Sequence, residues 1–255
     1  MRRIRSLPAV VVAGVLLVMS AGCGERGYDS LSAQSEPLTP DNIEPLLTKA
    51  RGDVDSYSYR MTMTVAGKTL SGFGDVRLTK PSAMRGTLDV PGSTAIETHS
   101  VGGAVYVKGF PTARPWLRVD ARTRGLDART RAQLRQVTRP LPSYATFANA
   151  SKVTLSGRGP VGDVDTTHYV VVVPTRSLPG VRQKLTRKNL AALPRSLRSL
   201  TMDIWVDSDY LVRKLAFRMR VAKQEVSSEV LVEDYDAPVR IAAPPASQVT
   251  RGLGR

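Results

Sequence analysis

Over much of this 255-residue chain, apolar and polar residues alternate with a period of two. Tyr57, Tyr59, Met61, Met63 and Val65 alternate with Ser58, Arg60, Thr62 and Thr64. Successive side chains of a strand point to opposite faces, so this run reads as a half-buried strand with one apolar side. The pattern returns at Met84, Gly86, Leu88 and Val90. It returns again where Leu215, Phe217, Met219 and Val221 alternate with Lys214, Ala216, Arg218 and Arg220. Ala66-Gly67-Lys68, Lys80-Pro81, Pro91-Gly92 and Gly102-Gly103 punctuate the runs as turns. Short strands joined by Gly and Pro turns are the signature of an antiparallel meander.

Ten strands are expected: five between Ser56 and Lys108, two at Lys152–Gly157 and Thr167–Val173, and three between Thr201 and Tyr235. Helical stretches interrupt them. Thr39 is a plausible N-cap and Pro40 suits the first helical position, with Ile43, Leu46, Leu47 and Ala50 on one face and Pro45 awkwardly inside. Residues 121–148 and 175–200 lose the period of two and read as helix broken by prolines. So many antiparallel strands exclude a crossover fold. The expected class is α+β: one large curved antiparallel sheet with helices gathered on one face. Pro238 to Gln248 reads as an extended chain end.

The chain opens with Arg2, Arg3 and Arg5, continues with an apolar run from Ala9 to Met19, and closes that run on Ser20-Ala21-Gly22 before Cys23. That is the three-part order of a secretory signal, too short to span a bilayer. Cys23 is the only cysteine, and its setting resembles the lipobox of bacterial lipoproteins, departing from it at Ser20, where leucine is usual. The resemblance implies a diacylated (palmitate-type) Cys23 that holds the protein on the outer face of the cell membrane. The alternative is a secreted protein with an incidental cysteine. The expected organisation is a signal peptide at 1–22, an acylated tether at 23–38, a domain at 39–249 and a tail at 250–255. No intramolecular disulfide is possible with one cysteine, so the fold must rest on its apolar core.

Reactive chemistry is sparse. The two histidines, His99 and His168, lack a metal-ligand pattern; Asp163 and Asp165 before His168 are better explained by a turn leading into a strand. Asp203 and Asp207 flank Trp205, and alternation assigns both to the outer face. No nucleophile elbow, phosphate loop, His-Glu-x-x-His pair or dinucleotide fingerprint occurs. No enzyme, metal or cofactor is expected.

The net charge of +15 favours acidic partners, and export makes nucleic acid the poorest of these. Basic residues cluster in the two middle helical stretches. Eight arginines stand against two acids between Arg114 and Arg139, and seven Lys or Arg against none between Arg176 and Arg198. Arg129, Arg131, Arg135, Arg182, Lys184, Arg187 and Lys188 are the candidate contacts to an anionic membrane surface or lipid headgroup. The plainer account is two solvated helix faces.

Several segments, taken in order, resemble the actinobacterial LppX/LprG-type lipoproteins, relatives in fold of the carrier LolA. They are Tyr57–Val65, GDVRLTKPSAMRG (Gly74 to Gly86), VGGAVYVKG (Val101 to Gly109) with Trp116, and GDVDTTHYVVVV (Gly162 to Val173). DIWVDSDYLVRKLAFRM (Asp203 to Met219) and YDAPVRIAAPPASQV (Tyr235 to Val249) complete the set. The resemblance implies a half-barrel with helices over its concave face, enclosing a hydrophobic cavity that holds acyl chains of a lipid or lipoglycan. It implies carriage or presentation without catalysis. The chain is separately expected to be a monomer, with an unidentified envelope exporter as a further partner. The candidate cavity residues are Tyr57, Tyr59, Met61, Met63, Val65, Met84, Leu88, Leu215, Phe217 and Met219. Methionine adapts to irregular gaps, which suits a pocket for acyl chains, although without the family likeness a Met-rich strand face is more often plain core. The alternative is an envelope interaction or sensor lipoprotein with a filled core and no ligand.

Overall fold

The computed structural model describes residues 36–110, 112–120, 123, 144–178, 197–221 and 224–252. The alternating runs assemble into one twelve-stranded, open, curled sheet. In chain order the strands are β1 (Ser56–Val65), β2 (Lys68–Arg77), β3 (Ala83–Asp89), β4 (Ile96–Val101), β5 (Ala104–Lys108) and β6 (Trp116–Val119). The second set is β7 (Lys152–Val161), β8 (Val164–Pro174), β9 (Ser199–Val206), β10 (Val212–Val221), β11 (Gln224–Glu233) and β12 (Val249–Thr250). Across the sheet their order is β12-β6-β5-β4-β3-β2-β1-β11-β10-β9-β8-β7. Each half is therefore a meander, and the halves join where β1 pairs antiparallel with β11. Only β12 runs parallel to its neighbour, β6. Together with its helical cover, this is the half-barrel α+β fold expected from the sequence.

The turns follow from local chemistry. Gly102 and Gly103 both hold positive φ, 56° and 76°, as a two-residue hairpin turn between β4 and β5 requires. Helix α1 (Ile43–Gly52) starts from a reciprocal cap: Asn42 N donates to Thr39 Oγ1 at 3.3 Å, and Thr39 N donates to Asn42 Oδ1 at 2.7 Å. This is the capping-box arrangement with Asn in the usual Glu/Gln place, and the helix runs on past Pro45.

Register decides which side chains share a face. One inward row runs Tyr169, Ile204, Leu215, Val230, Met61, Gly72, Leu88 from β8 to β3. Ile43 and Leu47 of α1, with Tyr144 and Phe147 of a 3₁₀ turn (Tyr144–Asn149), join the same buried cluster. A segment from far upstream is tied onto this half as well, since Leu38 N donates to the Tyr169 hydroxyl at 3.3 Å. The outer face carries exposed ion pairs, among them Lys108 with Glu97 at 2.6 Å and Lys214 with Glu229 at 2.7 Å. Such surface pairs contribute about 0–1 kcal/mol each.

Two strands beyond the expected ten are present, β6 and β12. Pro238 to Gln248, expected as an extended chain end, runs along the sheet to β12: Ala242 O meets His99 Nδ1 at 3.0 Å, and Arg114 Nη1 donates to Ala246 O and Val249 O at 3.3 and 3.0 Å. The helical readings of 121–143 and 179–196 lie outside the described residues.

Candidate functional site

Among the described residues, the apolar core of the inner face is not continuous. A large cluster spans β8 to β3, and a small one consists of Val105, Val107, Leu117 and Val119 on β5 and β6. Between them, three of the six inward positions of β3 and β4 are taken by Gly86, Thr98 and Ser100, and the other three by Met84, Leu88 and Ile96. Small and hydroxylated residues cannot fill the width of a half-barrel as Leu or Phe would. The two clusters therefore flank a break.

Tyr59 reaches into that break. The register places it in one row with Gly74, Gly86 and Thr98, and its side chain lies across the two glycines. A Cβ on Gly86 would sit 2.6 Å from the Tyr59 hydroxyl. A Cβ on Gly74 would sit 2.8 Å from the same atom and 2.2 Å from Arg85 O. Glycine is thus required at both members of this cross-strand pair, at Gly74 for the close approach of two strands and at Gly86 for the Tyr59 hydroxyl. Tyr59 lies deep enough that burial, helped by the Asp75 charge, raises its phenol to about 12, yet the residue keeps part of its accessible surface. Tyr59 is thus half-buried at the break. Its hydroxyl has no hydrogen-bond partner among the described residues.

The ten cavity candidates all belong to the large cluster or pack against it. They divide into two groups. Tyr57, Met61, Met63, Met84, Leu215 and Phe217 are 0–7% exposed, closed in core. Tyr59, Val65, Leu88 and Met219 are half-buried and retain surface on the inner face. Sequence reasoning missed Gly74, Gly86, Thr98 and Ser100; the signal was the pair of glycines equidistant from the turn at Lys80-Pro81. Cys23 and all seven basic candidates (Arg129, Arg131, Arg135, Arg182, Lys184, Arg187, Lys188) lie outside the described residues.

At the Tyr57 end of the sheet a polar knot closes the inner face. Asp207 Oδ1 accepts from Asp209 N and Leu211 N, both at 2.9 Å, and Asp207 Oδ2 accepts from Arg213 Nε at 2.9 Å. Alternation had assigned Asp207 to the outer face, whereas its residue is 4% exposed. The strand stops at Val206, so the carboxylate turns inward to hold the next turn. Burial raises its pKa, against the lowering effect of the hydrogen bonds and Arg213. Arg213 lies over the Tyr235 ring at 5.3 Å, and the Tyr235 hydroxyl donates to Val212 O at 3.0 Å. Burial also holds the phenols of Tyr144 and Tyr235 well above their usual pKa.

The histidines take structural places. His168 Nε2 is 2.8 Å from Asp203 Oδ1, and its ring stacks on Trp205 at 4.2 Å between centroids. Asp203 is on the outer face as expected, and β8's alternation sets Asp165 on the side opposite His168. No group of three metal-ligating side chains occurs among the described residues.

No family model and no curated protein matches the sequence. Among solved structures, the lipoprotein LppX of Mycobacterium tuberculosis superposes with a TM-score of 0.54 at 13% identity, over 80% of this chain and 98% of LppX. The chain has the LppX fold. LprF of Mycobacterium bovis is also similar, with a TM-score of 0.48 at 15% identity, over 80% of this chain and 96% of LprF. LppX is of the lipoprotein type that the sequence motifs resembled. No described helix is long and apolar enough to cross a membrane.

Proposed function

We propose that the protein binds the acyl chains of a lipid or lipoglycan in the recess between its two core clusters and carries or presents that lipid without chemistry. The supporting observation is the break itself: Gly86, Thr98 and Ser100 hold inward positions where a self-filling sheet would carry aliphatic side chains. Tyr59, Leu88 and, farther along the face, Val65 and Met219 keep apolar surface to contact a chain. Each methylene moved from water into such a site gains about 0.8 kcal/mol. Cys23, acylated, would hold the protein on the outer face of the cell membrane. The basic segments that carry Arg131 and Arg135, and Arg182 and Lys184, would meet an anionic membrane or headgroup, where each charge adds on the order of 1 kcal/mol.

A filled-core interaction module is the second reading, favoured by the six candidates that are closed in core. Native mass spectrometry of the exported full chain, before and after organic extraction, separates the two. A stoichiometric adduct lost on extraction is the expected result. An apo mass that added phospholipid or glycolipid fails to shift would overturn the carrier reading.

A further inference from the structure

The recess is not uniformly apolar. The Tyr59 hydroxyl and Thr98 Oγ1 lie 2.6 and 3.7 Å from one point, the place a Cβ on Gly86 would occupy. Two hydroxyls from strands that are not neighbours therefore converge over a glycine, which supplies the room. Thr98 Oγ1 donates to Gly86 O at 3.3 Å, which leaves its lone pairs available. The Tyr59 proton has no acceptor among the described residues. Ser100, one row away and 8% exposed, carries another hydroxyl that no described residue engages. Tyr59 keeps part of its accessible surface, so water can meet its hydroxyl in the free protein, and a carbonyl oxygen from outside the chain can take the place of that water. Phenylalanine at 59 would keep the ring but place no hydrogen-bonding atom beside the two glycines.

We infer that the Tyr59 and Thr98 hydroxyls form a polar anchor in the recess, with Tyr59 donating to an ester carbonyl of a bound acyl lipid. The ligand class is then an ester-linked lipid held by the oxygen at the head of an acyl chain, rather than a bare hydrocarbon. The Thr98 oxygen is placed to accept from a hydroxyl or water beside that ester. The anchor rests on the acyl-lipid reading above and adds to it where the chain's head sits: over Gly86, with Leu88 and Ile96 next along the face.

The test is a competition between two probes that differ only in the linkage. The full chain, wild type or carrying Tyr59→Phe or Thr98→Val, is offered equimolar dioleoyl (ester) and dioleyl (ether) phosphatidylglycerol, and native mass spectrometry reads the ratio bound. Wild type is expected to favour the ester about fivefold, the worth of one net hydrogen bond. Y59F should lose that preference, and a urea unfolding midpoint close to that of wild type certifies that the variant folds. T98V should reduce the preference in the same direction. An unchanged ester-to-ether ratio in Y59F, or a wild type with no preference, overturns the anchor and leaves lipid binding standing. A wild type that takes up neither lipid overturns the lipid reading, and the anchor with it.

Discussion

The contact of Tyr59 with Gly86 can be tested as a coupling energy. In Gly86→Ala the new Cβ meets the Tyr59 hydroxyl at 2.6 Å, while its other near neighbours, Phe73 O at 3.5 Å and Thr98 Oγ1 at 3.7 Å, are ordinary contacts. Gly86 has no positive φ, so alanine brings no backbone strain; relative to glycine in a strand it would by itself gain about 0.5–1 kcal/mol. The ring must retreat by most of an ångström, and overpacking of that kind costs about 1–3 kcal/mol. G86A should therefore be destabilised by about 1–2 kcal/mol net. Y59F removes the clashing oxygen and no hydrogen bond with the described residues, so alone it should fall within about 0.5 kcal/mol of wild type. The double variant G86A/Y59F should recover most of the loss, a coupling of about 1–2 kcal/mol by urea unfolding with unchanged m-value. Gly74→Ala is the control. Its Cβ would lie 2.2 Å from Arg85 O, a backbone atom, so Y59F should not rescue it. Additive effects of G86A and Y59F would refute the placement of the ring over Gly86.

Burial of the phenols, the polar knot and the basic segments each carry an expected outcome. Tyr59, Tyr144 and Tyr235 all have raised folded-state pKa values, so their contribution to stability is complete below pH 10 and lost as pH rises through the folded values. Between pH 10 and 12 stability should fall by about 1.4 kcal/mol per pH unit for each tyrosine still neutral in the fold, read by urea midpoints and by phenolate absorbance. A flat stability profile there would contradict their burial. Asp207→Ala strips acceptors from Leu211 N and Arg213 and should cost about 3–5 kcal/mol, whereas Asp207→Asn keeps one acceptor and avoids a desolvated charge, and should cost less than half as much; equal losses in thermal unfolding would refute the polar knot. Charge reversal at Arg131 and Arg135 should weaken binding to phosphatidylglycerol vesicles at low salt, and sedimentation unchanged by the reversal would sink membrane docking through that segment.

What the sequence made legible was local. Strand parity needs only neighbours, and the ten residues it grouped lie in or against one core cluster; the Thr39 cap was visible because capping is decided within four residues. Which of those ten keep accessible surface was not legible. That depends on α1, on the 3₁₀ turn at Tyr144, and on Leu38, which is hydrogen-bonded to a residue 131 positions away. β6 is four residues behind a proline, and β12 is two residues whose only partner is β6, so neither offers a period to read. Asp207 failed for a different reason. Parity holds only inside a strand, and one residue past its end the carboxylate answered to the nearby backbone N–H groups instead.

The two readings of function part most cleanly on linkage between ligand and stability. The recess proposed between the two core clusters would be unfilled apolar surface without lipid, so an occupant that binds only the folded state would stabilise it by RT ln(1 + [L]/Kd), about 2.7 kcal/mol at a hundredfold excess over Kd. A filled core has nothing to gain from lipid. For a sheet of about 210 residues, that gain corresponds to an upward shift of several degrees in the unfolding midpoint. The shift should be produced by dioleoyl phosphatidylglycerol added below its aggregation limit. It should shrink in G86A, where a displaced Tyr59 ring occupies part of the same space. If lipid leaves the midpoint of wild type and G86A alike unmoved, the gap between the clusters is not a binding site. Gly74 and Gly86 would then serve only the bend of the sheet, and Tyr59 its closure.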